Sequence, residues 1–147
     1  MAAQLNDMKK LILVTTFIVF GVGILGLTDA RGQTSKRLSS TPAAFQTFYR
    51  NFRNAVIRRD KPAVAAMTQF PFEYGWDAGD EGTYTRSRFL ANFNHIFGNN
   101  KKIFRETNPT FYIDGKSFGL TDEEDASHYG FVKTSTGYKF ASIMVEP

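Results

Sequence analysis

The sequence of 147 residues contains no cysteine. Without a thiol, the chain forms no disulfide, has no cysteine nucleophile and offers no cysteine-based metal site. It also has no cysteine that could carry a lipid after the N-terminal segment. Its stability must therefore come from the packing of a core, which a domain of about 105 residues can provide.

Motifs that mark several enzyme classes are missing as well. No segment has the spacing of a phosphate-binding loop or a dinucleotide fingerprint, and no serine stands in a nucleophile elbow. The net charge is +4, but the lysines and arginines are scattered along the chain, which does not indicate nucleic-acid binding. The acidic run Asp122–Asp125 is typical of a solvated loop. We expect no cofactor, no bound metal and no nucleic-acid partner.

The N-terminus has the order of a secretory signal. Lys9 and Lys10 precede an uncharged apolar run, Leu11–Leu27, and small residues follow within positions 28–30. This order predicts a cleaved signal peptide over residues 1–30 and an exported protein, periplasmic or secreted. The alternative is that the apolar run stays in place as an N-terminal anchor in the inner membrane. Contact with a membrane is expected only in that second case.

The exported part is predicted to be a flexible linker followed by one domain. Residues 31–40 are polar and rich in serine, without periodicity, so they predict a tether. Thr41-Pro42 then favours a helix start and opens the single domain over residues 41–147. Apolar residues at three- and four-residue spacing follow in the first helix: Phe45, Phe48, Tyr49, Phe52, Ala55 and Val56.

After a short second helix, the stretch Phe70–Trp76 carries an aromatic ring at every second position. Spacing of two is typical of a strand whose rings share one face. Phe70 and Phe72 have no polar atom and are predicted to lie in the core. Tyr74 and Trp76 each carry a hydrogen-bond donor and approach a glycine-rich loop, so they are candidates for the rim of a pocket.

The remaining chain predicts one more helix and then a run of strands. His95 lies opposite the apolar stripe of the helix over residues 86–97 and is predicted to face solvent. His128 begins a strand and alternates with Gly130 and Val132, so it is a third pocket candidate that would point inward. Helices followed by antiparallel strands predict an α+β fold in which a curved sheet wraps around the helices.

The order of these elements resembles the nuclear transport factor 2-like (SnoaL-like) superfamily, most closely its small exported bacterial members of unknown function. The resemblance rests on "FQTFYRNFRNAVIRRD", "PAVAAMT", "FPF" and "TRSRFLANFNHIF", followed by a closing run of strands. It implies a cone: a strongly bent antiparallel sheet, cystatin-like in outline, closed by the N-terminal helices. A pocket at the mouth of the cone is implied with it.

Three functions remain open at this point. The first is a binding or interaction protein without catalysis, whose ligand is a small apolar or aromatic molecule or another protein. Its last strand is apolar on both faces, so a homodimer through the sheet would bury Ile143 and Val145 or their neighbours. The second is a small isomerase or dehydratase with an inward Asp or His as base, as the resemblance allows. The third is a membrane-tethered accessory domain.

Overall fold

The structure of the protein, a computed structural model, describes residues 32–76, 79–98 and 101–146. The predicted leader over residues 1–30 lies outside these residues. Among the helices that the structure describes, none is both long enough and apolar enough to cross a membrane.

Four short helices lie on one side of a sheet, and we call them the helix layer. Asp60 begins the second helix by accepting the N–H of Ala63 at 3.1 Å, and Thr85 begins the third by accepting the N–H of Arg88 at 3.4 Å. The predicted helix over residues 86–97 is interrupted at Asn92, whose side-chain amide donates to the carbonyl of Arg88 at 2.8 Å. The helices are α1 Ala43–Ile57, α2 Lys61–Ala66, α3 Arg86–Ala91 and α4 Phe93–Phe97.

Seven strands form one sheet in the order β1-β4-β5-β6-β7-β2-β3. β2 runs parallel to β7, and every other neighbouring pair is antiparallel. Because β1 and β3 lie at its two edges, the sheet is not closed, and the predicted α+β class is confirmed at this level. The strands are β1 Thr34–Arg37, β2 Thr68–Trp76, β3 Asp80–Tyr84, β4 Thr110–Asp114, β5 Ser117–Asp122, β6 Ser127–Thr134 and β7 Gly137–Val145.

The prediction of a flexible linker over residues 31–40 is wrong from Thr34 onward. β1 pairs with β4, and the next residue, Leu38, is 1% exposed and donates its N–H to the carbonyl of Pro109 at 2.8 Å. All four side chains of β1 are exposed. An edge strand of this kind has no apolar alternation, so hydrophobic periodicity does not predict it.

An aromatic core fills the space between the helix layer and the inner face, which is our name for the sheet face that the helices cover. The ring of Phe140 lies at its centre, with centroid distances of 4.8 Å to Phe72 and 5.0 Å to Phe52. At one side, Phe45 stacks on Phe118 at 4.1 Å. Such ring pairs add to the gain from buried area. Other fully buried rings in this core are Tyr49, Phe89, Phe93, Phe104, Phe111, Tyr129 and Phe131.

A bulge in β7 changes which of its side chains face the core. The register between β6 and β7 shifts at Ala141, so one extra residue reverses the alternation of the strand. Phe140 and Ile143 therefore both face the core, whereas Met144 points to the other side and is 40% exposed. The prediction that Ile143 would be buried in a dimer interface is wrong, because Ile143 is already 1% exposed within the monomer.

The opposite face, which we call the outer face, carries mostly small and polar side chains, together with the exposed Tyr112 and Met144. One row of register neighbours crosses all seven strands of this face, and two of its members are glycines. No helix or loop in the described part of the chain packs over this row, so the outer face is the uncovered side of the sheet. From β4 to β2 the row is Tyr112, Gly119, Gly130, Ser142 and Glu73.

Candidate functional site

All four rings of the strand β2 point to the inner face, and they differ in how deeply they are buried. Phe72 is fully buried, which confirms its predicted place in the core, and Phe70 is partly buried and packs against it. The ring of Tyr74 stacks on Tyr84 at 4.2 Å. Trp76, at the end of the strand, donates its indole N–H to the hydroxyl of Tyr84 at 3.2 Å. The row of rings thus runs from the core to the margin of the sheet.

Trp76 lines a cleft where β2, β6 and β7 meet the end of α4. The cleft has a volume of about 280 Å³. The imidazole of His95 meets the indole of Trp76 edge to face, with ring centroids 4.1 Å apart and planes at 75°. The apolar floor consists of Ile96, Ile143 and Val145.

Polar side chains complete the wall of this cleft. Lys101 forms an ion pair with Asp125, and the two side chains are 19% and 39% exposed. Burial lowers the pKa of Lys101, while the carboxylates of Asp122 and Glu124 act in the opposite direction. Ser127 is 2% exposed and lies beside this pair in the cleft. The cleft thus offers a cation, a carboxylate and a hydroxyl around an apolar floor.

A buried tyrosine lies near the cleft and shares its neighbours. The hydroxyl of Tyr129 donates to the backbone carbonyl of Ile96, one of the floor residues, at 3.4 Å. Burial raises the pKa of Tyr129, and the nearby carboxylate of Asp122 raises it further, whereas a hydrogen bond with Ser127 lowers it. The phenol therefore stays protonated at neutral pH and serves as a hydrogen-bond donor.

The three residues predicted as pocket candidates do not come together. Trp76 lines the cleft, and Tyr74 lies beside it between the rings of Trp76 and Tyr84. His128 points to the outer face, so the prediction that it points inward is wrong. Its ring lies next to Met144 in the register of the sheet, on the side that the helices leave uncovered.

His128 has two surface partners instead of a pocket. Its Nδ1 lies 3.0 Å from the hydroxyl oxygen of Thr121. Its Nε2 is shielded from solvent and lies 3.2 Å from Oε1 of Glu146, but the N–H is not aligned with that oxygen closely enough for a hydrogen bond. The contact is therefore an ion pair that exists only when the imidazole is protonated.

Sequence reasoning missed four residues of the cleft: His95, Lys101, Asp125 and Ser127. They come from α4, the segment after it, the β5–β6 turn and β6, so no local motif joins them. His95 was predicted to face solvent; it is exposed, yet it also covers the edge of Trp76. One signal was available for Ser127, namely the alternation of buried side chains in its strand. Ser127 is the first residue of β6 and pairs with Asp122, the last residue of β5, and both lie on the face that alternates toward the core.

Other clefts offer less for a ligand. A cleft of about 330 Å³ on the outer face lies around Gly119 and Gly130, and one of about 350 Å³ lies beside Asp122. The carboxylate of Asp122 faces inward but accepts the backbone N–H of Glu124 at 3.1 Å, so it holds the turn. In the part of the chain that the structure describes, no three His, Asp or Glu side chains come together as a metal site.

Comparison with known proteins adds no identification. No protein-family model matches the chain, and no curated protein matches it. The cleft at Trp76 and the surfaces around it are therefore the features from which a function can be inferred.

Proposed function

We propose that the protein is an exported binding protein that holds a small, partly aromatic molecule in the cleft between Trp76 and the Lys101–Asp125 pair. One observation carries this proposal: an indole and an imidazole, edge to face, border an apolar floor that has charged groups on one side only. Ligand sites in proteins are mostly apolar, with a few polar groups that fix orientation.

The size and chemistry of the cleft favour a compact ligand. A volume of about 280 Å³ lies near the lower end for small-molecule sites. A flat apolar part of the ligand would lie against the indole of Trp76, and a polar group would meet Lys101 or the hydroxyl of Ser127. Lys101 would then contact both Asp125 and the ligand. A ligand with an acidic group or a hydrogen-bond acceptor is therefore favoured over a cationic ligand.

We also propose that the chain is a nuclear transport factor 2-like protein, built on the cone that this superfamily shares. The helices on one face of a mostly antiparallel sheet support this assignment, as does the segment "FPF" within β2, the strand that follows the first two helices. The basic and then apolar order of residues 9–27 supports export. In that setting the cleft would lie at the mouth of the cone.

An isomerase or dehydratase is the second candidate, and a membrane-tethered accessory domain is the third. The enzyme needs a carboxylate or imidazole that faces the ligand as a base. His95 borders the cleft, which supports this alternative, but the inward carboxylate of Asp122 already accepts a backbone N–H. The aromatic core fills the space between the sheet and the helices behind the cleft. A substrate would therefore have to react in the cleft itself, near the protein surface. We rank binding above catalysis for that reason.

Trp76 is the only tryptophan of the chain, so its fluorescence reports directly on the cleft. Titration with the anionic aromatic probe anilinonaphthalene sulfonate is expected to quench Trp76 and to show energy transfer from indole to probe. Val145→Phe should fill the cleft and weaken binding at least tenfold. Met144→Phe, one residue away on the outer face, is the matched control and should bind like the wild type.

Two results would overturn the proposal. One is the absence of energy transfer from Trp76 at saturating probe. The other is equal binding by the Val145 and Met144 variants, which would place the probe elsewhere. Thermal unfolding of both variants establishes that each is folded.

A further inference from the structure

The solvent side of the helix layer carries a strong excess of positive charge. The four helices and the loop between α1 and α2 hold seven cationic side chains and one carboxylate, that of Asp60. The lysines and arginines look scattered along the sequence, but the fold places these seven in the helices that form one layer on the sheet and in the loop between α1 and α2. They are Arg50, Arg53, Arg58, Arg59, Lys61, Arg86 and Arg88.

These cations are not neutralised within the described part of the chain. None of the seven lies within ion-pair distance of a carboxylate there; the Lys–carboxylate pairs are Lys101–Asp125 and Lys102–Glu124, outside the helix layer. Asp60 is occupied as the N-cap of α2. Arg53 and Arg59 donate to backbone carbonyls, which orders them without cancelling their charge.

An exposed apolar side chain lies among these cations. Ile57 is 48% exposed, and Arg50, Arg53 and Ile57 follow a spacing of three and four residues along one side of α1. Arg58 comes directly after it. A helical surface that joins several cations to an exposed apolar side chain has two of the features that bring helices onto anionic membrane surfaces. Guanidinium groups also suit phosphate, since they bind it through paired hydrogen bonds.

We propose that the helix layer docks on an anionic lipid surface, with the arginines on lipid phosphates and Ile57 at the acyl boundary. Charge complementarity selects the partner, and the exposed isoleucine favours a lipid interface over an acidic protein or a nucleic acid. Docking of this kind does not need the leader to be retained. If the apolar run ending at Leu27 stays in a membrane, seven residue steps to Thr34 keep the domain within about 25 Å of it.

The chain has no cysteine, so a single-cysteine variant places one dye at a chosen point. Ile57→Cys in the full chain, labelled with a polarity-sensitive dye, is mixed with vesicles of phosphatidylglycerol and phosphatidylcholine or of phosphatidylcholine alone. We expect a blue shift only on the anionic vesicles, and its reversal in 0.5 M salt. The matched control is Met144→Cys, on the outer face, whose dye should not shift. Insertion of the leader alone would not produce this difference.

Charge variants test the arginines themselves. In the Ile57→Cys background, Arg50→Gln with Arg58→Gln should weaken binding to anionic vesicles about tenfold or more. Lys116→Gln with Lys133→Gln removes the same charge from the sheet and should change binding less than about twofold. Equal losses in the two pairs, or equal shifts at positions 57 and 144, would overturn the proposal. So would an equal shift with a nucleic-acid duplex at the same salt.

Discussion

The two faces of the sheet use the same strands for opposite purposes. On the inner face, strand residues such as Phe131 and Phe140 are buried against Phe52 of the helix layer. On the outer face, the row through Gly119, Gly130 and Ser142 presents little side-chain volume. The contrast indicates that the side chains of the inner face supply most of the free energy of unfolding. Most side chains of the outer face can be substituted with little loss of stability. Four predictions test that contrast.

The largest effect is expected at the centre of the inner face. Phe140→Ala removes a ring that packs against Phe52, Phe72 and Phe131, and it leaves a cavity that surrounding rings can fill only in part. We expect the free energy of unfolding to fall by roughly 3–5 kcal/mol. Urea denaturation measures this loss. Met144→Ala, on the outer face of the same strand, should cost less than about 1 kcal/mol.

The second effect is alkaline destabilisation through the tyrosines of the core. Burial raises the pKa of Tyr49, partly offset by Arg53, so the folded protein keeps the phenolic proton above its ordinary pKa of 10.0, where the unfolded chain loses it. The folded state therefore binds more protons, and stability present below pH 10 falls as the pH rises. Each such tyrosine contributes a slope of about 1.4 kcal/mol per pH unit. Unfolding curves above pH 10.5 measure it.

Tyr49→Phe isolates one of the two tyrosines. The slope should fall by about half, because Tyr129 remains. Among the described residues the hydroxyl of Tyr49 has no hydrogen-bond partner, so this variant should keep or gain up to about 1 kcal/mol at neutral pH. The pKa of Lys101 is lowered in the folded protein, so its protonation differs between the folded and unfolded states only below and near its ordinary pKa of 10.5. It therefore does not contribute to the slope above that pH. An unchanged slope in the variant would refute this account.

The third effect tests a close approach on the outer face. A Cβ at Gly130 would overlap the Oγ of Ser142, whereas a Cβ at Gly119 would have its nearest neighbour at 3.8 Å. Gly130→Ala should therefore cost about 1–2 kcal/mol. Gly119→Ala should be neutral or slightly stabilising. Adding Ser142→Ala to the Gly130 variant should restore most of the loss in a double-mutant cycle, and a failure to do so would contradict the overlap.

The smallest effect is expected at His128. Its ion pair with Glu146 is at the surface, since the carboxylate is 70% exposed, so His128→Gln should change the free energy of unfolding by less than about 1 kcal/mol. Probe binding at Trp76 should be unchanged, because the two side chains lie on opposite faces. A tenfold loss of probe binding in this variant would show that the faces are coupled.

The sequence predicted the parts of this contrast that depend on local periodicity. The stripe of α1 and the alternation of β2 named core rings such as Phe45, Phe52 and Phe72, and all three are fully buried. β1 was not predicted, because its side chains are polar and exposed and its partner strand β4 is distant in the sequence. The bulge at Ala141 was not predicted, because it depends on the register between β7 and β6.

The candidate site was predictable only in part, for a related reason. Trp76 follows from alternation within one strand. Its position beside Ile143 depends on the parallel pairing of β2 with β7, and its contact with His95 depends on where α4 ends. Lys101 and Asp125 meet through side chains that come from two different loops. Proximity of this kind is set by tertiary packing, which periodicity does not encode.

The parallel pairing of β2 with β7 has a consequence for the order in which the chain can assemble. β7 lies between β6 and β2 in the sheet, and it follows both of them in the chain. Until β7 is paired, the hairpin of β2 and β3 has no neighbour on its β2 side, and its apolar rings lack part of the sheet that buries them. Such a non-local closing step slows folding and lengthens the exposure of Phe72 and its neighbours. Before β7 pairs, the aromatic strand β2 is therefore open to chaperones and to aggregation.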